Sequence, residues 1–265
     1  MSIANLGFQL IPPSPPLRRY VRSYWVFERA SPLLTPQAEY MHPRGGFGLA
    51  FNFGDALSLD AQPITEAVFL DGATTISRQM EFTGRVALLG VSFRVGGAYP
   101  FFGMPLAELT NETAALDALH RADLLQLSER MAEADSMTAR IVVWETWLIK
   151  RLARGVIRDP LIPASLDVLR TSGGSLAIPI LAESFAISQR HLERLYQRQV
   201  GMSPKKYAQL LRVETARLAL KDMHLPTTTS LAVELGFYDQ SHFIREFQAV
   251  IGMTPYRYLR RSQAR

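Results

Sequence analysis

The 265-residue chain contains no cysteine, which excludes disulfides, zinc-thiolate centres and a cysteine nucleophile or alkyl acceptor. No apolar run approaches the roughly 20 residues a membrane-spanning helix needs. The opening MSIANLGFQLIPPSPP lacks a basic stretch followed by an apolar one. A cytoplasmic protein with no leader and no membrane partner is expected. Histidine is sparse: of five, His191, His224 and His242 fall in the C-terminal part, leaving His42 and His120 before it, with no His-x-His pair to seed a metal site. There is neither a G-x-S-x-G elbow nor a Walker loop. No catalytic residue, metal or cofactor is expected.

What is present is ordinary for a folded chain. Apolar residues make up 48% and charged residues 20%, which argues against disorder, and the length allows two domains. The net charge of +5 is unevenly placed: residues 161–265 hold 14 Lys/Arg against 8 Asp/Glu, whereas residues 1–160 hold 15 against 16. A polyanion partner for the C-terminal part follows naturally, although a solvated basic surface would look the same.

The last third of the chain repeats itself. Glu183, Gln189, His191, Arg194, Gln197, Gly201, Met202, Pro204 and Tyr207 superpose without a gap on Glu234, Gln240, His242, Arg245, Gln248, Gly252, Met253, Pro255 and Tyr258, 51 positions later. Each copy reads as two helices and a tight turn, over about 178–201 and 229–252. In the second, Leu231 and Ala232 open a short helix, Gly236 makes the turn and Asp239 caps the next helix; in the first, Leu181 and Ala182 are followed by a turn at Ala186 and Ile187 without glycine, and Ser188 is the cap. The second helices are expected to bury stripes at i, i+3/i+4 spacing, Leu192, Leu195, Tyr196 and Gln199 in one, Phe243, Phe247, Val250 and Ile251 in the other. Arg190, Glu193, Arg194 and Gln197, matched by Ser241, His242, Arg245 and Gln248, are left on the opposite faces. Between the copies, PKKYAQLLRVETARLALKDM has Tyr207, Leu210, Leu211, Ala216, Leu218 and Ala219 available for one helix of about 18 residues and 27 Å, ended by HLPTTT.

Ahead of residue 160, LRRYVRSYW places Leu17, Tyr20, Val21 and Tyr24 at helical spacing, predicting a short helix that leads into a strand at Trp25–Glu28. FGLAFNF, EAVFLDG and VALLGVSF read as strands of a small β-sandwich or partial barrel. After Gly96-Gly97 the pattern turns helical, ending in TARIVVWETWLIKRLAR, whose stripe of Ile141, Trp144, Leu148 and Leu152 suits core or a dimer seam. The glycine pair after Arg94 suits an anion-binding turn or a tight strand-to-helix connection. GVIRDP, 155–160, reads as a linker, and ASLDVLRTSGG as a support helix for the first repeat. The expected fold class is α+β: residues 1–158 form a small β-sandwich or cupin-like domain with flanking helices, and residues 161–265 an all-α domain of two helix-turn-helix units joined by a long helix.

The stretch GFYDQSHFIREFQAVIGMTPYRYL, with its copy ISQRHLERLYQRQVGMSPKKY, resembles the AraC/XylS family of bacterial transcription regulators over about residues 161–262. The resemblance implies seven or so helices binding double-stranded DNA as one body. Carried over position by position, the base-reading residues are Arg190, Glu193 and Arg194 in the first unit and Gln240, Ser241, His242 and Arg245 in the second; Arg194 and Arg245 also suit helix packing or phosphate clamping. The side chains agree: arginine reads guanine, glutamine adenine, and glutamate accepts from cytosine. Ser188 and Asp239, caps first, together with Lys205, Lys206 and Arg257, are phosphate-contact candidates, and Arg260 a further one. PLRRYVRSYW, RGGFGLAFNFGD and GRVALLGVSFRVGGAYPFFGMPLAEL are similar to an N-terminal domain found on a subset of such regulators. That implies a part that senses a small-molecule effector or forms a homodimer, with RNA polymerase as a partner for an activator. A purely structural, dimerising N-terminal domain is the alternative.

Overall fold

The structure, a computed structural model, describes residues 6–115, 122–221 and 228–263. Ten strands come first: β1 (Phe8–Ile11), β2 (Val21–Glu28), β3 (Leu33–Met41), β4 (Gly48–Asn52), β5 (Leu57–Leu59), β6 (Gln62–Ile64), β7 (Val68–Asp71), β8 (Arg78–Gly84), β9 (Ala87–Phe93) and β10 (Thr113–Ala115). They form a six-stranded sheet ordered β1-β2-β9-β4-β7-β10 and a four-stranded sheet ordered β3-β8-β5-β6, antiparallel throughout the described residues. Helices follow: α1 (Tyr99–Phe102), α2 (Ala122–Ala132), α3 (Met137–Arg154), α4 (Leu161–Thr171), α5 (Ile178–Ser184), α6 (Gln189–Gln199), α7 (Pro204–Ala219), α8 (Thr228–Glu234), α9 (Gln240–Ile251) and α10 (Pro255–Gln263). This is the expected α+β arrangement, and no described helix is long and apolar enough to cross a membrane.

The six-stranded sheet is buried on both faces. Side chains alternate along a strand, so Leu49 and Phe51 of β4, Val68 and Leu70 of β7, and Leu89, Val91 and Phe93 of β9 join one core, while Ala50, Phe69 and Leu88 join another. The second core fills the space between the sheets with Phe27, Leu57, Leu59, Met80 and Phe82. The first is covered by α1, α3 and the C-terminal helices. Trp144 of α3 packs its ring against Tyr24 and Phe51, with centroids 5.8 and 4.8 Å apart. The Ile141, Trp144 and Leu148 stripe is therefore core.

Several expectations need correction. Residues 17–24 are not a helix: a one-turn 3-10 helix spans Pro15–Leu17 and β2 begins at Val21. The pairing of β2 with β9 shifts register between Val21 and Ser23, a bulge that puts Val21 and Tyr24 on one face three residues apart, imitating a helical period. β10 interrupts the part of the chain read as helical. The joining helix α7 is 16 residues long and stops at Ala219, where the amide of Lys221 donates to the Leu218 carbonyl in a tighter turn. Leu218 is 54% exposed, and Arg217 is buried instead. Its buried guanidinium is bound at 2.7 Å by both oxygens of Glu214 and at 3.1 Å by the Tyr258 hydroxyl. Of the HLPTTT stop, residues 224–227 lie outside the described residues, and Thr228 already belongs to α8.

The repeat itself contains a step. α6 and α9 begin 51 positions apart, at Gln189 and Gln240, but α5 and α8 end 50 apart, at Ser184 and Glu234. The matching backbone bonds, Ile187 N–H to Ala182 and Phe237 N–H to Ala232, keep the offset of 50. The second turn thus has one residue more, and the structural counterpart of Glu183 is Val233. On this register Ala186 stands where Gly236 stands, and both are left-handed, with φ of +52° and +73°.

The two halves of the chain share the first core. Tyr207, Met202 and Leu210 come up to the loop at Gly45, and Phe47 to Gly201. The Thr110 hydroxyl donates to the Gly201 carbonyl, and the Ser77 amide donates to Val250 at 2.7 Å. His42 sits in this seam, its Nδ1 2.8 Å from the Ser77 hydroxyl and its ring edge-on to Tyr258. Burial lowers its pKa to about 4, with Arg217, Lys221 and Arg261 acting in the same direction and Glu214 opposing.

Two outcomes follow. A left-handed alanine costs about 1–2 kcal/mol, so Gly236→Ala lowers the unfolding free energy by about that much in denaturant titrations, whereas Ala186→Gly leaves it level or higher; equal losses from both would contradict the shared geometry. For His42, the folded pKa lies below the ordinary 6.5, so the unfolded chain takes up the extra proton between pH 6.5 and 4. Its stabilising contribution is complete above that window and falls as pH drops through it. His42→Gln should flatten the decline in melting temperature over that range; an unaltered slope would assign the decline to other groups.

Candidate nucleic-acid interface

Both second helices start from a side-chain cap. Ser188 accepts from the His191 amide at 3.2 Å and Asp239 from the His242 amide at 2.6 Å, each cap residue in extended backbone conformation. Beneath α6, Leu192, Leu195, Tyr196 and Gln199 are buried, and the Tyr196 hydroxyl donates to Ser165 of α4 at 3.1 Å. Beneath α9, Phe243, Phe247, Val250 and Ile251 are buried, and Phe247 meets Tyr258 edge-on. The remaining faces of α6 and α9 are turned outward.

On α6, Arg190, Arg194 and Gln197 are exposed and Glu193 half-exposed. Glu193 accepts from Gln189 Nε2 at 2.8 Å, and Arg194 Nη2 lies 3.1 Å from His191 Nδ1. On α9, Gln240, Ser241 and Arg245 are exposed, and Arg245 Nε donates to the Ser241 carbonyl at 3.3 Å. The structure therefore gathers the first set on one helix face and the second set on another. His242 is more engaged: its Nδ1 accepts from the Tyr238 amide at 3.2 Å, its Nε2 is 3.3 Å from Glu246, and its ring abuts Phe237. It braces the turn that presents α9.

The phosphate candidates are spread over four helix starts. Ser188 and Asp239 are committed to caps, Lys205 is exposed on the first turn of α7, and Arg257 is exposed on α10 with its amide on Thr254 Oγ at 3.4 Å. Lys206 is half-buried, and burial lowers its pKa while the Glu246 carboxylate raises it. Arg260 is exposed on the last turns of α10.

Three features are not evident from the sequence pattern. Arg212 of α7 donates to both oxygens of Glu246 on α9, at 3.3 and 3.0 Å, and to the Gly174 carbonyl at 2.6 Å, tying the joining helix to the second unit. Tyr238, the extra residue of the second turn, is 91% exposed beside the cap of α9. The linker at 155–160 is fastened on both sides, by the Asp159 amide to Gln199 Oε1 at 3.0 Å and by Arg158 Nη1 to the Gly96 carbonyl at 3.4 Å. The Gly96-Gly97 pair is a tight connection: Gly96 has φ of +68°, Gly97 has no room for a Cβ against the Tyr20 carbonyl, and α1 beyond it is a single turn.

Residues 9–115 match the family described as a domain of unknown function (DUF6597), and residues 181–261 the family described as a helix-turn-helix domain. The HTH-type transcriptional regulator Rv1931c of Mycobacterium tuberculosis is 33% identical over 87 residues, 33% of this chain and 33% of that protein. The HTH-type transcriptional activator RhaS of Escherichia coli is 33% identical over 75 residues, 28% of this chain and 27% of its own length. The matches thus span about a third of these relatives. Among solved structures, a probable AraC family transcriptional regulator from Rhodopseudomonas palustris aligns with a TM-score of 0.36 at 26% identity, over 39% of this chain and 98% of that one. The helix-turn-helix match spans both repeated units and the relatives that share this part are transcriptional regulators, so residues 181–261 form a helix-turn-helix domain of the AraC/XylS type.

Proposed function

We propose that the protein is a sequence-specific, DNA-binding transcription regulator that acts by binding and not by catalysis, divided near residues 158–161 into an N-terminal regulatory domain and a C-terminal reading domain. The observation that carries this reading is the pair of capped helices, α6 and α9, whose outward faces bear Arg190, Glu193 and Arg194 and Gln240, Ser241 and Arg245. These side chains have the donors and acceptors that base edges in a major groove require. α7 contributes about 24 Å of spacing at 1.5 Å per residue, and the bodies of the two units add to it toward the roughly 34 Å of one DNA turn. Two successive major grooves on one side of a duplex are the natural target. Because the two units differ and lie in tandem, each chain favours an asymmetric site.

His242, already holding Tyr238 and Glu246, serves to present α9, and contributes less to base choice than Arg245. Lys205 and Arg257 contact phosphates. The space between the two sheets is occupied by Phe27, Phe69, Met80 and Phe82, which supports a sandwich whose interior is structural.

Arg245→Ala should cost about 1–3 kcal/mol in binding a selected site and relax preference at a few base pairs. Unchanged sequence preference in a folded variant would remove it as a reader. Lys205→Ala should weaken all duplexes alike and lower the slope of log affinity against log salt by about one unit; a constant slope would take it out of the phosphate set.

A further inference from the structure

Six arginines converge on one cleft between the two halves of the chain. Arg18 and Arg19 follow the Pro15–Leu17 turn, Arg22 lies on β2, Arg94 follows β9, Arg158 comes from the connection to α4, and Arg170 lies on α4. The cleft encloses about 490 Å³, and the carboxylate in its lining, Asp167, is already paired with Arg170. Arg94 Nε donates to the Arg18 carbonyl at 2.8 Å, Arg18 Nε to the Pro13 carbonyl at 3.4 Å, and Arg158 Nη1 to the Gly96 carbonyl with its guanidinium 5.4 Å from the Tyr20 ring centre. Carbonyls and ring faces satisfy donors but carry no net negative charge. Arg22 and Arg158 are partly buried and the other four are exposed, and partly buried cations crowded by like charges are costly until an anion joins them.

Two of the six register that cost. Burial, then Arg44 and Arg94, lower the Arg22 pKa, with Tyr207 and Glu214 opposing; burial and Arg19 lower that of Arg158, with Tyr20 opposing. A guanidinium presents a planar fork that fits two oxygens of a phosphate or carboxylate. The volume falls inside the range of small-molecule sites, about 300–1,000 Å³.

We propose that this cleft binds a compact polyanionic metabolite, one bearing at least two phosphate or carboxylate charges, and that its occupancy tunes the affinity of the reading domain for DNA. The regulatory half of this statement rests on the DNA-binding reading above; the anion site does not. A DNA backbone fits the cleft less well. At about 100° per residue, Pro163, Asp167 and Arg170 lie on nearly the opposite side of α4 from Ser165, which bonds Tyr196 on the buried face of α6. A duplex on the exposed face of α6 would have both α6 and α4 between it and the cleft. The lining comes from the sheet, the linker and α4 together, so an anion bridging Arg22, Arg94 and Arg170 bears directly on how the two halves sit. An anion that favours the DNA-bound arrangement must raise DNA affinity by the same factor that DNA raises anion affinity.

The test uses the full chain, with inorganic pyrophosphate and citrate as probes against sodium chloride at matched ionic strength. Thermal melts should rise by about 5 °C at a hundredfold excess over Kd, with one probe preferred according to whether phosphate or carboxylate fits. Arg94→Ala and Arg22→Gln should each at least halve the rise, and Arg130→Ala, an exposed charge on α2, should keep it. Should Arg22→Gln not fold, the exposed Arg94→Ala decides alone. An equal rise with chloride, or a full rise in Arg94→Ala, overturns the site. Anisotropy with fragmented genomic duplex then reads the coupling, where the preferred probe should change affinity at least threefold in the native chain and not in Arg94→Ala. If Arg94→Ala instead weakens every duplex with a smaller salt slope and neither probe shifts the melt, the cleft is a DNA contact and the proposal fails. If no duplex binds but the melt still rises, the regulator reading fails and the anion site stands.

Discussion

A sheet with two apolar faces cannot be left half covered, and much of this molecule follows from meeting that requirement. The four-stranded sheet closes one side of the six-stranded sheet around Phe27, Phe69 and Phe82. The other side, with Leu49, Phe51, Val91 and Phe93, is closed by α3 through Trp144 and extends into the C-terminal helices. Burying each large apolar side chain contributes about 1.5–3 kcal/mol, so separating the halves would expose Phe47, Met202 and Tyr207 at considerable cost. The N-terminal half is therefore part of the support on which the two repeated units stand.

That support holds the units to each other by two routes. Within the C-terminal helices, Arg212 of α7 forms a partly buried ion pair with Glu246 of the second unit, and Arg217 donates a buried hydrogen bond to the Tyr258 hydroxyl; each contact depends on both partners being present. From outside, the N-terminal half touches the first unit at Gly201 and the second at Val250. Gly201 lies just beyond the end of α6 and Val250 lies on α9, so both units are in direct contact with that half.

The helical part was the more legible. Every buried position expected under α6 and α9 is buried, because a 3.6-residue stripe on a helix maps directly onto one face. The strands named from sequence, around 47–53, 66–72 and 86–93, belong to the sheet buried on both sides, where apolar residues run together. β3, β5, β6 and β8 form the outer sheet, whose mixed residues and the proline in β3 dilute the signal. The one-residue step in the repeat was hidden by glutamates at 183 and 234 that match in sequence but not in position.

Sequence by itself determined the duplicated units, their caps, their buried stripes and the outward residues, since each depends on neighbours within a few turns of one helix. Tertiary structure decided that His242 braces a turn, that Arg217 is buried, that Ala186 adopts the glycine conformation, and that arginines from positions 18 to 170 share one cleft. Those facts depend on which distant surfaces meet. Charge placed at long sequence separation has no period to reveal it until the chain has folded around its two-faced sheet.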